Sequence, residues 1–299
     1  MIVAVTGAAG FIGRHLIARF EREGFDVRPI VRGDFESGRM ESLVRGADVV
    51  VHAAAATRAP TVAQLRASNV ALTARVVEAA RVGQVRRLVF VSSQAAAGPA
   101  RSLDRPIDET TTPAPIEAYG QSKLDAESLV RAAAGLEPVI VRPVSVYGPG
   151  DRDFPTVFAL ARRGIAIHPA NREQWISIIH VRDLVEGMLR AATYPQAAGR
   201  TYFLAGDEPV QWDTIFRTCA AMANRRLWLD IELPRSVIAF AAHAGDIAAR
   251  LTGHAGLITT EKVKMAYPRF WVCSNARAKR ELGFEPLVSL EDGLREVER

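Results

Sequence analysis

Thr6-Gly7-Ala8-Ala9-Gly10-Phe11-Ile12-Gly13-Arg14 lies between a short apolar run, Ile2 to Val5, and an amphipathic stretch from Phe11 to Glu23. The three glycines at this junction have separate physical uses. Gly7 permits the tight turn, Gly10 lets the backbone approach a pyrophosphate, and Gly13 lets the helix pack closely on the strand. The N-terminus of the helix that starts here favours an anion. A glycine triplet alone is weak, but here it sits between a strand and a helix. The segment reads as a dinucleotide turn, with contacts expected from Gly7, Gly10, Phe11, Ile12 and Gly13.

Strand and helix signals alternate onward from this turn. Gly24 stops the first helix and Asp26–Arg32 reads as a second strand. Asp48–His52, Leu88–Ser92 and Val139–Pro143 read as further strands, with helices over Val62–Arg81 and Glu117–Ala134. Such alternation implies an α/β fold, a doubly wound parallel sheet of Rossmann type. Between Arg32 and Asp48 there is hardly room for a strand and a helix, so a third strand is missing or reduced to a vestige near Asp34-Phe35. After Tyr147-Gly148-Pro149-Gly150 loops dominate. The expected organisation is a nucleotide-binding domain over 1–150 and a smaller C-terminal substrate lobe over 151–299, with 176–204 returning to the sheet.

Composition narrows the function. With 48% hydrophobic and 24% charged residues in 299, the chain can bury a substantial core. The net charge of +5 is spread out. Arginine pairs occur at Arg86-Arg87, Arg162-Arg163 and Arg225-Arg226, but no long basic run points to nucleic acid. Cys219 and Cys273 lack zinc-ligand spacing, and no metal site is expected. Met1 runs directly into an apolar strand, and the longest apolar stretch, around Val237–Ala242, is too short for a membrane span. A cytoplasmic location is the expectation.

The second strand decides the nucleotide. An Asp or Glu at its tip binds a ribose 2′-hydroxyl, whereas an Arg pairs with a 2′-phosphate. Here the strand ends Ile30-Val31-Arg32, with Arg14 able to add to the field. NADP is therefore expected ahead of NAD. Asp34, two residues on, is the alternative ribose ligand if the missing strand shifts the register.

Tyr119-Gly120-Gln121-Ser122-Lys123 places a phenol and an ammonium at i and i+4, one above the other on a helix. Hydride chemistry at a carbinol needs a group that exchanges a proton with its oxygen. A phenol titrates near ~10, so a neighbouring ammonium is needed to pull it toward neutrality.

Taken together, Gly7-x-x-Gly10-x-x-Gly13, Val89-Phe90-Val91-Ser92-Ser93, Tyr119-x-x-x-Lys123, and Arg142-Pro143 followed by Tyr147-Gly148-Pro149-Gly150 resemble the extended branch of the short-chain dehydrogenase/reductase superfamily. That branch includes sugar epimerases and dehydratases, and the resemblance covers nearly the whole chain. It implies that Tyr119 is the acid/base, that Lys123 also binds the nicotinamide ribose, and that Ser93 holds the reacting oxygen, with Ser92 the alternative. It further implies Asn69 as a catalytic helper, Ala53 and Pro143 as cofactor contacts, and a homodimer through the helices at Val62–Arg81 and Glu117–Ala134. Substrate contacts are expected from Gln94, Tyr147 and Trp175, and structural roles from His180 and Asp183.

Departures from the pattern narrow the substrate. Family dehydratases carry an Asp-Glu pair where this chain has Gln94 and Ala95, neither of which donates a proton. Nucleotide-sugar enzymes place a diphosphate-gripping Arg where this chain has Ile176; Arg172 is the nearest substitute. Val237–Ala242 with Ile247 and Leu251 reads first as a lobe-packing helix and otherwise as an apolar wall for substrate. The ending, with Lys262-Val263, Arg269-Phe270-Trp271 and Glu281-Leu282-Gly283-Phe284, looks like members acting on sterols, flavonoids or other apolar alcohols and ketones. The first expectation is an NADP-preferring oxidoreductase for a secondary alcohol or ketone. The alternatives are a nucleotide-sugar epimerase with tightly bound NAD and a non-catalytic NAD(P)-sensing protein.

Overall fold

The computed structural model describes residues 1–57, 59, 61–151, 154–169, 172–252 and 259–297. The chain opens as β1 (Ile2–Thr6), α1 (Phe11–Arg22), β2 (Asp26–Ile30), α2 (Arg32–Ser37), α3 (Arg39–Val44), β3 (Val49–His52), α4 (Val62–Val82), β4 (Arg87–Val91), α5 (Ala118–Arg131) and β5 (Glu137–Pro143). Shorter pieces follow: β6 (Ser145–Tyr147), α6 (Phe154–Arg162), β7 (Ile165–Pro169), β8 (Trp175–Ile176), β9 (Ile178–His180) and α7 (Val181–Thr193). Then come β10 (Thr201–Leu204), β11 (Val210–Gln211), α8 (Trp212–Met222), β12 (Leu229–Leu233) and α9 (Arg235–Thr252). The chain closes with α10 (Thr260–Ala266), β13 (Phe270–Trp271), α11 (Ala276–Leu282) and α12 (Leu290–Val297).

The main sheet has the order β10-β5-β4-β3-β1-β2, and each neighbouring pair is parallel. Its middle strands are unbroken apolar runs because helices cover both faces. Val3, Val5, Val51 and Val89 meet Leu16, Phe20, Leu184 and Met188 of α1 and α7 on one side. Ala4, Val50, Leu88 and Phe90 meet Met40, Val44, Val76 and Val130 of α3, α4 and α5 on the other. Alternate residues of one strand therefore face opposite layers, as a strand period of two requires. Arg87 opens β4 fully buried, its guanidinium bonded to Glu137 and to the carbonyls of Ala191, Ala192 and Tyr194 at the end of α7. A cation there satisfies carbonyls that the helix leaves open.

The doubly wound parallel sheet is the one the alternation implies, with one correction. Asp34-Phe35 is helical, not a vestigial strand, and β2 stops at Ile30 as the sheet edge. The cause is local. Asp34 Oδ2 accepts the Val31 N–H at 2.9 Å and so starts α2, while Gly38, at φ 76°, breaks α2 from α3.

Residues beyond β6 form three small sheets, β11-β8-β13, β7-β12 and β6-β9, while β10 joins the main sheet beside β5. A second core of Phe154, Phe158, Ile215, Phe216, Trp271 and Leu294 holds the small sheets and their helices. Among the described residues no helix is long and apolar enough to cross a membrane. The loops after β1, β2, β3, β4 and β5 leave the same carboxyl edge of the main sheet, where ligands of such sheets bind.

Candidate active site at the carboxyl edge of the sheet

The first of these loops is the glycine turn, and it tolerates no side chains. Gly7 takes φ +73°, and a Cβ there would stand 2.7 Å from Ala54 N. A Cβ on Gly13 would stand 2.1 Å from the Gly7 carbonyl oxygen. α1 then begins at Gly10 with no side-chain cap and no acid in its first turn. Its first N–H groups and positive dipole end are left for an anion, which fits a dinucleotide pyrophosphate beside Phe11 and Ile12.

Behind the turn runs a polar chain that fixes the loop at Ala53. Thr6 Oγ1 accepts the Ala54 N–H at 3.2 Å and lies 2.7 Å from His52 Nδ1, so its own proton goes to that nitrogen. His52 Nε2 lies 3.1 Å from Thr73 Oγ1, which donates to the Asn69 carbonyl. Burial, with Lys123 nearby, holds His52 down at about 3, so the ring is neutral and serves as a structural relay. Asn69 is buried, its amide bonded to both backbone groups of Ala56 and to Ser122 Oγ. It thereby staples the Ala53–Ala56 loop to α5 rather than reaching Tyr119.

At the tip of β2 the two nucleotide-sensing candidates differ sharply. Arg32 is open to solvent, its Nε 3.2 Å from Glu36 Oε1. Asp34 is buried, committed to the Val31 N–H and to Arg39 at 3.5 Å. Arg14 does not reinforce Arg32: its guanidinium lies against Gly150, after β6.

The strand-end serines divide their work. Ser92 donates to Glu127 Oε1 at 2.6 Å, inside the buried Glu127–Arg142 pair. Ser93 accepts the Ala95 N–H at 3.1 Å, and its hydroxyl lies beside the Tyr119 phenol, close enough to pull the phenol's pKa down. Tyr119 is placed by the start of α5, where Glu117 caps the N–H groups of Tyr119 and Gly120 and Glu261 takes that of Ala118. Gly120 is required there because a Cβ would stand 2.2 Å from the Ala95 carbonyl oxygen. Glu117 was missed from sequence, although an acid two residues before a helical tyrosine is a capping signal.

Burial, with the Glu117 charge, pushes the Tyr119 phenol up to about 12, against a downward pull from Ser93. Lys123 Nζ does not offset this; it sits 4.5 Å from the centre of the Phe90 ring, and burial holds it down at about 7 despite Glu127. The phenol is thus fully protonated at neutral pH.

The lysine carries a stability signature. Between pH 7 and about 10 the unfolded chain holds a proton that folded Lys123 has released, so this residue makes stability rise with pH across that window; below it the full cost of burying the charge applies. We expect Lys123→Met to flatten the rise in Tm from pH 7 to about 9 relative to wild type. Parallel melting profiles for the two proteins would contradict this.

Ser93 also forms part of the wall of a cavity of about 380 Å³. Val144, Ile176, Trp212, Met265, Ala266 and Trp271 make that wall largely apolar, with Gln94, Ser145, Gln174 and Lys262 among them. Of the expected substrate residues, Gln94 lies on it. Trp175 does not, because adjacent residues of β8 face opposite ways: Ile176 lines the cavity while Trp175 packs beside Ala97, Phe203 and Val272. Tyr147 is buried against Phe154 and His180 in the second core. Trp212 comes from α8, while Met265 and Trp271 come from the consecutive elements α10 and β13. Trp271 stands out in the sequence within Arg269-Phe270-Trp271, and Trp212 and Met265 do not.

Arg172, the substitute for a diphosphate clamp, is bonded to both carboxylate oxygens of Asp230 at 2.6 and 3.0 Å. Asp230 and Asp213 form a cluster with His168, and Arg217 bonds Asp213. His180 Nδ1 caps the Arg182 N–H, and Asp183 accepts the Val288 N–H, both structural duties.

Residues 3–205 match the model of the NAD dependent epimerase/dehydratase family. The 4-hydroxy-2-methyl-3-oxo-4-farnesyl-3,4-dihydroquinoline-1-oxide ketoreductase of Stigmatella aurantiaca is 28% identical, over 97% of this chain and 93% of its own. The ceramide reductase of Caulobacter vibrioides is 28% identical, over 92% and 87% respectively. The solved structure of MoeE5 with UDP-glucuronic acid and NAD superposes with a TM-score of 0.78 at 24% identity, covering 99% of this chain and 97% of that one.

Proposed function

This chain belongs to the NAD-dependent epimerase/dehydratase family, and from that premise we propose that it is an NADP-preferring reductase of an apolar ketone. The observation that carries the reading is the Tyr119 phenol beside Ser93, whose side chain lines a largely apolar cavity. A reduced nicotinamide supplies a hydride when bound. Gly7, Gly10 and Gly13 with the start of α1 would hold its pyrophosphate, Ala53 and Pro143 would contact it, and Lys123 would bind its ribose. Ser93 holds the carbonyl oxygen, and Tyr119 gives its proton to that oxygen as the carbon becomes an alcohol carbon. A phenol that keeps its proton at neutral pH suits reduction better than oxidation. Residues 1–150 act as the cofactor domain and 151–299 chiefly as the substrate lobe, with 176–204 returning to the sheet. We further propose a cytoplasmic homodimer through α4 and α5.

The ketoreductase and ceramide reductase act, by their names, on molecules with long apolar bodies, which supports this substrate class. A nucleotide-sugar epimerase needs a diphosphate clamp. Ile176 stands on the cavity wall where the clamp belongs, and Arg172 is engaged by Asp230.

The nucleotide preference rests on Arg32, exposed and unburdened by a buried partner, against an Asp34 committed to capping. We expect Arg32→Ala to weaken NADPH binding about tenfold while changing NADH binding less than about twofold, since only a 2′-phosphate has the charge to use the guanidinium. Equal loss for both nucleotides would remove Arg32 from that role. Net oxidation of NADPH by a long-chain ketone tests the activity itself; racemising or epimerising turnover with no net NADPH loss would overturn it.

A further inference from the structure

Gln94 is buried, 5% exposed, and its Nε2 finds no hydrogen-bond partner among the described residues. Buried amide nitrogens are rarely left so, because the loss of water is then uncompensated. Two other polar side chains of the same cavity show the contrast. Gln174 Nε2 donates to the carbonyls of Met265 and Pro268 and fixes the end of α10. Trp271 Nε1 likewise donates to the Met265 carbonyl. These side chains build the wall, whereas Gln94 presents a donor that the protein itself does not use.

That donor has no place on the reacting oxygen. A carbonyl oxygen accepts two hydrogen bonds, and the hydroxyls of Ser93 and Tyr119 fill both. Gln94 follows Ser93 directly and lines the same cavity, so its amide and the Ser93 hydroxyl face one substrate volume.

Resting on the reductase reading above, we propose that Gln94 is a specificity-determining residue that donates to a second substrate oxygen, a carbonyl or hydroxyl close to the ketone. The substrate class is then an apolar ketone that carries a second oxygen one or two carbons from the ketone carbon, its body lying along Ile176, Trp212, Met265 and Trp271. A plain ketone leaves the amide unpaired, and sites built around a polar contact reject analogues that lack it.

The test measures kcat/KM with NADPH for a long-chain 3-oxo ester and for the plain ketone of equal chain length. Wild type is compared with Gln94→Leu and Gln94→Met, two apolar residues of similar volume, so that one poorly folding variant does not decide the matter. The ester-to-ketone ratio should fall about 10- to 100-fold in both variants, with plain-ketone turnover held within about threefold. An unchanged ratio, or an equal fall for both substrates, overturns the role of Gln94 while leaving the reductase intact. Failure of wild type to oxidise NADPH with either ketone overturns the reductase reading, and this inference with it.

Discussion

Tyr119→Phe is expected to lower kcat about 10²- to 10⁴-fold, the range that a positioned proton donor contributes. NADPH affinity should stay within about threefold, because the phenol hydroxyl is assigned to the substrate oxygen and not to the pyrophosphate or the ribose. Phenylalanine keeps the ring, and the capping of α5 by Glu117 uses backbone N–H groups that the change leaves alone. Pre-steady-state mixing with a ketone, read by NADPH absorbance, measures the loss. A variant that retains most of its turnover would transfer the proton to another group. A variant that loses NADPH binding would make Tyr119 a structural residue.

The largest stability effect is expected at a position that touches no ligand. Glu127 is fully buried and accepts from Arg142 at 2.9 and 2.8 Å, from Ser92 at 2.6 Å and from Arg131 at 3.1 Å. Burial pushes its carboxyl up, but the Arg142 bonds and charge hold it below the usual range. The pair therefore contributes stability above the ordinary carboxylate pKa, and that contribution is lost as pH falls through the lower, folded value. Glu127→Ala leaves the Arg142 guanidinium buried and uncompensated, which costs about 3–5 kcal/mol. For a chain of this size that is a fall in Tm of roughly 5–15 °C. Because Ser92 is held by the same carboxylate at the end of β4, the neighbouring Ser93 should also lose its setting. The double variant Glu127→Leu/Arg142→Met should be less destabilised than Glu127→Ala, since no charge is left behind. A Glu127→Ala melting point within about 2 °C of wild type would show that the pair carries little, by the same conversion.

Much of this arrangement was legible in the chain. The turn at Gly7, Gly10 and Gly13 and the i, i+4 spacing of Tyr119 and Lys123 reflect backbone geometry, which a linear sequence carries directly. The parallel sheet was legible because each central strand, such as Val49–His52, is apolar on both faces. What escaped depends on side chains meeting from afar. Ser92 and Ser93 look alike at a strand end, and only Glu127, a helix away, separates them. The electrostatic partnership of Tyr119 with Lys123 follows from spacing, yet Lys123 turns to Phe90, a residue of β4. Asp34 capping the Val31 N–H is a local contact, but an acid just past the tip of β2 fits a ribose ligand equally well by sequence. Trp175 and Ile176 are adjacent in sequence and opposite in space, so choosing the wall residue required the orientation of β8.

Whether the enzyme is a dissociable, NADPH-dependent reductase is decided by a calorimetric titration of the purified protein with NADPH and, separately, NADH, after any nucleotide already bound has been identified. The expected result is a protein free of nucleotide that binds NADPH more tightly than NADH. NAD(H) retained through purification, with no preference for NADPH, would contradict it and favour a chain that returns its hydride to the same substrate.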